Sequence, residues 1–329
     1  MTTLSSPSRG ILLIALGAPE YGDMAANLAA SIRYADTDIA IHLVHTERST
    51  AHLTDAHRAL FSSSAECPVE YYTRQTPAPN PPKGALIQNT VESEMAVKAP
   101  FGGLGADLEY IKAKTHLYEL TPFEETLFLD VDMYILPTTR MSEVMTELSS
   151  VCHYTIENRG YADLSLPDAK LDPLYSTWVN ILDVKKHYQT TGRFYHLHSE
   201  FVFFKKNEKN KRFFETVREV YDRRPVPWTV FDGAVPDEYA FDIATCITGH
   251  YPHQDGYIAI YWHGMDGRKD WNKDVVKNYI GFSLGGNYIP DWITGKVNAY
   301  KQLFRKALKL PHLFHVAPKR RWNVKRRTM

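Results

Sequence analysis

The sequence predicts an α/β fold built on a parallel sheet, with a ligand site at the carboxyl edge of its strands. Three segments near the start carry this. Gly10 to Leu16 is a short apolar run ending at Gly17, as a buried strand does. Asp23 to Tyr34 follows as a helix, with Asp23 as the capping residue and Met24, Leu28 and Ile32 on one face. Asp38 to Val44 is a second strand. Strand, helix and strand within about 35 residues form one βαβ unit, which requires parallel pairing.

The remaining elements are read in the same way. Gln75 to Lys83 holds four prolines, which excludes a helix or a central strand and makes this a loop. With Gly102, Gly103 and Gly105 it has the composition of a mobile cover; this glycine cluster follows no strand and has little weight as a phosphate loop. Leu104, Leu108, Ile111 and Tyr118 keep helical spacing up to Thr121-Pro122. Thr126 to Leu129 is a buried strand that delivers Asp130 and Asp132 at its end. Residues 155–195, rich in Tyr, Asp, Pro and Gly, read as an insertion beside the site. Phe201 to Phe204 is a strand. Asn210 to Tyr221 is a helix with Phe213, Val217 and Tyr221 on one face, and Ile258 to Trp262 is a last strand ending at His263.

Composition narrows the class. A chain of 329 residues, 44% hydrophobic and 23% charged, has the make-up of an ordinary globular protein able to bury a full core. No run approaches the roughly 20 apolar residues of a membrane span, and Met1 to Arg9 has no secretory apolar stretch. Cys67, Cys152 and Cys246 form no CxxC pair, so the expected compartment is a reducing, cytoplasmic one. Net charge is zero, yet residues 301–329 hold ten Lys or Arg and no Asp or Glu, leaving net −10 on the first 300.

Two carboxylates at the end of an apolar strand are costly unless a positive group compensates them, and a divalent cation that also bridges phosphate oxygens does so. Asp130-Val131-Asp132 is such a pair. His263 stands at the end of another expected strand and is followed by Gly264, Gly267, Lys269 and Trp271. An imidazole beside two carboxylates suits Mn²⁺ better than Mg²⁺, and Lys269 can hold a diphosphate as a point charge. An apolar strand leading into Asp-x-Asp also suits a haloacid-dehalogenase-type phosphatase, with the first Asp as nucleophile and the second as general acid. Tyr134 in place of Thr or Val, and the position of the motif deep in the chain, count against that reading. A nucleotidyltransferase would carry a cationic loop after the first strand, and Gly17-Ala-Pro-Glu-Tyr21 has no cation. A non-catalytic binding protein would have no need of Asp130, Asp132, His263 and Lys269 together.

The stretch from Lys114 to Leu136, with Lys at the start, Leu-Thr in the middle and an apolar strand into Asp-x-Asp, resembles the core of the retaining glycosyltransferases related to glycogenin, family 8. His263 to Trp271 is similar to that family's H-x-x-G-x-x-K-P-W motif, with Gly displaced to Gly267 and Asp270 in place of Pro. Pro236-Asp237-Glu238 resembles its Asp-Gln pair, and His198-Ser199-Glu200 stands where it reads Asn-Ser-Gly. The resemblance covers roughly residues 10–275 and implies a GT-A fold: a Rossmann-like nucleotide half fused to an acceptor half around a central mixed sheet. It implies a UDP-sugar donor, UDP-glucose before UDP-galactose, and retention of configuration. Residue by residue, it implies that Asp130, Asp132 and His263 ligate Mn²⁺, with Mg²⁺ as the alternative. Lys114, Val131, Gly267 and Lys269 belong to the nucleotide and diphosphate site, Leu16 and Tyr21 to a uracil pocket, and Asp237 to the sugar or acceptor side. Asp132 and Asp237 are the expected catalytic pair.

The expected domain plan is a polar extension over 1–9, a GT-A domain over 10–299 and a basic tail over 300–329. Tyr300 to Leu310 places Leu303, Phe304, Ala307 and Leu308 on one helical face and cations on the other, and Lys319 to Arg327 adds six more cations around Trp322. A solvated end is the commonest state of such a run. An anionic membrane surface, with a lipid-linked glycan as acceptor, and a nucleic-acid backbone, with a modified base as acceptor, are the two functional readings.

Overall fold

The computed structural model describes residues 8–74, 108–228, 235–262, 278–285 and 291–314. A six-stranded mixed sheet runs through the chain in the order β3-β2-β1-β4-β7-β6. The first four positions, β3 (Ser63–Glu66), β2 (Ile41–His45), β1 (Arg9–Ala15) and β4 (Glu125–Leu129), are parallel, and β7 (Arg193–Lys205) and β6 (Tyr154–Asp163) complete the sheet antiparallel to their neighbours. A small second sheet joins β5 (Met133–Ile135), β9 (Gly281–Ser283) and β8 (Ile260–Tyr261), in that order.

Strand β1 shows why the sheet lies in the middle. Alternate side chains leave opposite faces of a strand: Ile11, Leu13 and Ala15 enter one core and Leu12 and Ile14 the other. The first core is covered by α1 (Pro19–Ala35), α5 (Met141–Val151) and α9 (Asp291–Ala307), through Leu28, Ile32, Met145, Val297 and Phe304. The second is covered by α7 (Glu208–Arg223) and α8 (Asp237–Thr248), through Phe213, Phe214, Val217, Tyr239 and Phe241. A strand buried on both faces reads as the continuous apolar run seen in the sequence.

Several boundaries differ from expectation. Helix α1 starts at Pro19, whose fixed φ suits a first helical position, and Ala18 is its N-cap. Asp23 is therefore no cap; it pairs with His52 at 2.6 Å. The helix expected from Leu104 is instead a 3₁₀ helix over Tyr110–His116 running into α4 (Leu117–Leu120), while Leu108 bridges to Thr73 in an extended pairing. Residues 155–195 begin within β6, a ten-residue strand of the main sheet, and contain α6 (Ile181–Tyr188). Strand β7 is thirteen residues long and starts eight residues before Phe201. The strand expected over Ile258–Trp262 shrinks to Ile260–Tyr261, lies in the small sheet, and is followed by β9.

The helix expected from Tyr300 begins at Asp291, so a boundary at 300 falls inside it. Its packed face is Ile293, Val297, Tyr300 and Phe304, whereas Leu303 and Ala307 are exposed and the Lys301 side chain is buried. Beyond it the chain is tied back to α1: Asn27 accepts from the Phe314 backbone N and donates to its carbonyl, both at 3.1 Å. The stretches 75–107 and 315–329 lie outside the described residues, with the Pro-rich and Gly-rich loop and the Lys319–Arg327 run they contain. Among the described residues no helix is long and apolar enough to cross a membrane.

Phe304 is fully buried against Tyr34 and Tyr300. Phe304→Ala is expected to cost about 3–5 kcal/mol in urea unfolding. Leu303→Ala, one residue away on the exposed side, should stay within about 0.5 kcal/mol of the parent.

Candidate functional site

The carboxyl edge of the parallel strands opens into one cleft. Its walls include Leu16 after β1, Tyr21 and Met24 on α1, Lys114 on the 3₁₀ helix, Asp130, Val131 and Asp132 after β4, and Asp237 and Glu238 at the start of α8. The sequence-predicted residues Leu16, Tyr21, Lys114, Asp130, Val131, Asp132 and Asp237 thus face a single space. His263, Gly267 and Lys269 lie outside the described residues.

Each wall has a local cause. Two residues past β1 stands Gly17, which holds φ near +82° and whose missing Cβ leaves room for the Tyr110 ring, 2.7 Å from where that atom would lie. The turn lets α1 start within four residues and brings Tyr21 back over the sheet edge. At the end of β4 the chain turns sharply. The Asp130 side chain accepts from the Val131 backbone N at 3.0 Å, and the Asp130 backbone N donates to the Glu200 carbonyl on β7 at 2.9 Å. Asp132 is tied to the small sheet, its carbonyl accepting from Leu284 N at 2.7 Å.

Lys114 is the described ammonium of the cleft. Its Nζ lies 2.6 Å from Asp130 Oδ2 and 3.5 Å from Asp237 Oδ2. Burial pulls its pKa down, but the fields of Asp130, Asp237 and Glu238 outweigh burial and hold it well above the usual lysine range. Lys114 was expected on the nucleotide and Asp237 on the sugar side; here one ammonium bridges the Asp-x-Asp motif and α8.

Two further carboxyl groups line the cleft that the sequence marked only as departures from a motif, Glu200 and Glu238. Burial, and then repulsion from Asp132, Glu157 and Asp130, pushes the Glu200 carboxyl well above its ordinary range. Ser283 Oγ donates to its Oε1 at 3.0 Å and accepts from Gly285 N at 3.0 Å, so β9 orients it. Burial and Asp237 likewise raise Glu238, which accepts from Ser199 Oγ at 3.3 Å. Trp178 and Trp262 form apolar walls that no sequence period announced, and Trp262 Nε1 donates to the Gly285 carbonyl at 3.0 Å.

The donor set fits a hard divalent cation. Five carboxyl groups, Asp130, Asp132, Glu200, Asp237 and Glu238, surround one described ammonium, an oxygen-rich set of the kind that a divalent cation takes as ligands. Gly285 leaves the approach to Asp132 open, since a Cβ there would sit 2.7 Å from Asp132 Oδ2. Among the described residues no three His, Cys, Asp or Glu side chains converge as a complete metal set. Asp130 and Asp132 are the described part of the expected one.

No family model and no curated protein matches the chain. Among solved structures, WbbM, a bifunctional glycosyltransferase in its apo form, matches 87% of this chain at 11% identity with a TM-score of 0.50. The chain spans about half of WbbM, 47% of its length. The galactosyltransferase LgtC, in complex with donor and acceptor sugar analogs, covers 93% of this chain and 97% of its own at 12% identity and a TM-score of 0.46. At this level of identity the likeness to WbbM is one of fold, and it covers the mixed sheet and the helices on both its faces. This chain has the GT-A fold.

An imidazole pair stands beside the cleft. The His198 ring meets Trp262 edge-on at 5.5 Å and stacks on His196 at 5.1 Å, and Arg159 Nε donates to His198 Nε2 at 3.0 Å. Burial, and then the Arg159 charge, lowers His196 to about 4. His196 is thus neutral in the fold, while the unfolded chain takes up a proton there below its ordinary value of about 6.5. Stability contributed at this site falls as pH drops through 6.5 toward 4. Carboxyl groups held high, such as Glu200, act in the opposite sense, so the difference between two variants isolates the imidazole. The urea-measured destabilisation of His196→Gln should shrink by about 1.3 kcal/mol between pH 7.5 and pH 5.5; an unchanged difference would mean that His196 is protonated in the fold.

Proposed function

We propose that this chain is a metal-dependent glycosyltransferase that moves a hexose from a UDP-sugar to a hydroxyl acceptor. The observation that carries the reading is the convergence of Asp130 and Asp132, Lys114, and the Leu16–Tyr21 wall on one cleft of a GT-A fold. Leu16, Tyr21 and Met24 make an apolar pocket that suits a flat base. Lys114 and the Asp-x-Asp pair line the same cleft and suit the diphosphate that such a base carries. A bound Mn²⁺ or Mg²⁺, held by Asp130 and Asp132 with His263 as the expected third ligand, supplies positive charge to the leaving diphosphate.

The chain's own residues divide the rest of the work. Cleavage of the bond between anomeric carbon and diphosphate leaves negative charge on UDP and positive charge on the sugar. Lys114 sits among Asp130, Asp237 and Glu238, so it stays charged at neutral pH and stabilises the leaving group at a fixed position. Asp237, 3.5 Å from that ammonium, also lines the cleft, where it would stabilise the sugar as its charge develops. Trp178 and Trp262 offer apolar faces on which a sugar ring packs, which favours a glycan acceptor. Retention of configuration and UDP-glucose as first donor follow from the resemblance to family 8. A phosphatase using Asp130 and Asp132 alone leaves Leu16, Tyr21 and Lys114 without a task.

The test is UDP release from UDP-glucose and UDP-galactose with Mn²⁺, compared with phosphate release from small phosphate esters with Mg²⁺. Release of UDP is expected, and Asp132→Asn should lower it by at least about 100-fold with an unchanged melting temperature. Wild-type-like turnover by that variant, or phosphatase activity alone, would overturn the assignment.

A further inference from the structure

The 3₁₀ helix Tyr110–His116 presents Tyr110, Ile111 and Lys114 to the cleft, yet nothing within it explains why it is so well defined. It has seven residues, longer than the usual three or four of this weakly hydrogen-bonded form. Its N-cap, Glu109, makes no side-chain capping bond. The Glu109 carboxylate is instead fully buried between two guanidiniums, Arg74 on one oxygen and Arg224 on the other, the latter at 2.6 Å. Nearby, buried Lys112 pairs with Asp222 at 2.9 Å and donates to the Thr73 carbonyl at 3.2 Å, and Glu119 pairs with Arg218 at 2.8 Å. Asp222 and Arg218 lie on α7 and Arg224 directly follows it, so the helix is riveted to α7 by charge.

Arg224 adds an independent observation. It is the C-cap of α7 and holds φ near +48°, a left-handed conformation in which glycine is favoured and a bulky side chain is strained. A better capping residue exists, so what arginine brings to this position is its guanidinium. A buried ion triad is a poor source of stability, since apolar residues of the same size do as well or better, but it imposes one geometry. The geometry it imposes here ends at Lys114, five residues from Glu109 and 2.6 Å from Asp130.

We infer that Arg74, Glu109 and Arg224 are positioning residues for Lys114: the triad sets the place of the 3₁₀ helix and so the grip of the cleft on a nucleotide diphosphate. The inference rests on the proposed function for its ligand, and on geometry alone for its effect on Lys114. It predicts that Arg74 and Arg224 act through Lys114 and not on the fold at large.

The experiment uses the full chain and UDP with Mn²⁺ as the probe. Arg224→Gly keeps a residue suited to the left-handed cap while removing the guanidinium, and Arg74→Gln removes the other. Each should weaken UDP binding in calorimetry by about tenfold, as Lys114→Met should, and neither should weaken it further in the Lys114→Met background. Equal weakening in both backgrounds, or none in the parent, would overturn the inference. Acylation of Lys114 by acetic anhydride, mapped by mass spectrometry, gives a second readout that needs no ligand. Its rate should rise at least about fivefold in both variants relative to Lys206, because an ammonium released from its ion pair loses its proton more readily and the neutral amine is the nucleophile that attacks the anhydride. If the parent binds no UDP, the proposed function fails while the acylation rates still decide the positioning role; unchanged rates would end it.

Discussion

A carboxylate at the end of a buried strand calls for a positive partner, and Asp130 finds one in Lys114, 2.6 Å away. Much of the architecture around the cleft follows from that need. The ammonium has to come from outside β1 and β4, because neither strand buries a lysine or arginine along its length. A separate segment therefore carries it, and that segment in turn has to be held in place. The fold meets this with further charges: Glu109 between two arginines, and Lys112 on Asp222. Charge at the edge is balanced by charge behind it.

The antiparallel strand β7 gives the cleft its other half. Pairing β7 against β4 brings the middle of a long strand level with the end of a short one, so that Glu200 lies beside Asp130. Before Phe201, His196, His198, Ser199 and Glu200 serve the cleft and the imidazole pair beside it, while Phe194, Tyr195 and Leu197 join the core with the residues that follow. The small sheet closes the opposite rim. Glu157 on β6 accepts from the backbone N of Ala259 and of Ile260, both at 2.5 Å, which fixes β8 and hence Trp262. A carboxyl group thus anchors each flank of the site, Glu109 on one and Glu157 on the other.

Legibility of the fold tracks burial. Strands β1 and β4 and helix α7 stand out in the sequence because every apolar position in them answers to the core. Strand β7 is visible only from Phe201 onward, since His196, His198, Ser199 and Glu200 break the apolar run where the strand lines the cleft. Strand β6 is hidden for a related reason: its pairing slips between Ile156 and Glu157 and again between Asn158 and Tyr161, which destroys a period of two. The 3₁₀ helix has no 3.6-residue period to detect. In the site, Asp130, Asp132, Lys114, Tyr21 and Asp237 were legible from motif order, whereas Glu200 and Glu238 carried no signal except a mismatch. Trp178 and Trp262 had none, because an aromatic residue in a loop or a two-residue strand leaves no pattern.

The contact between α1 and α9 bears on how the protein is made. Asn27 and Phe314, bonded to each other twice, are 287 residues apart, and part of α1 is covered only by α9. Strands β1 and β2 emerge from the ribosome well before α9, but the part of their core around Tyr34 stays open until Phe304 has been synthesised and has reached it. Closing so long a loop is slow compared with forming local helices. Completion of this half is therefore a late event in biosynthesis, and a nascent chain stalled before α9 would present the apolar side of α1 to chaperones.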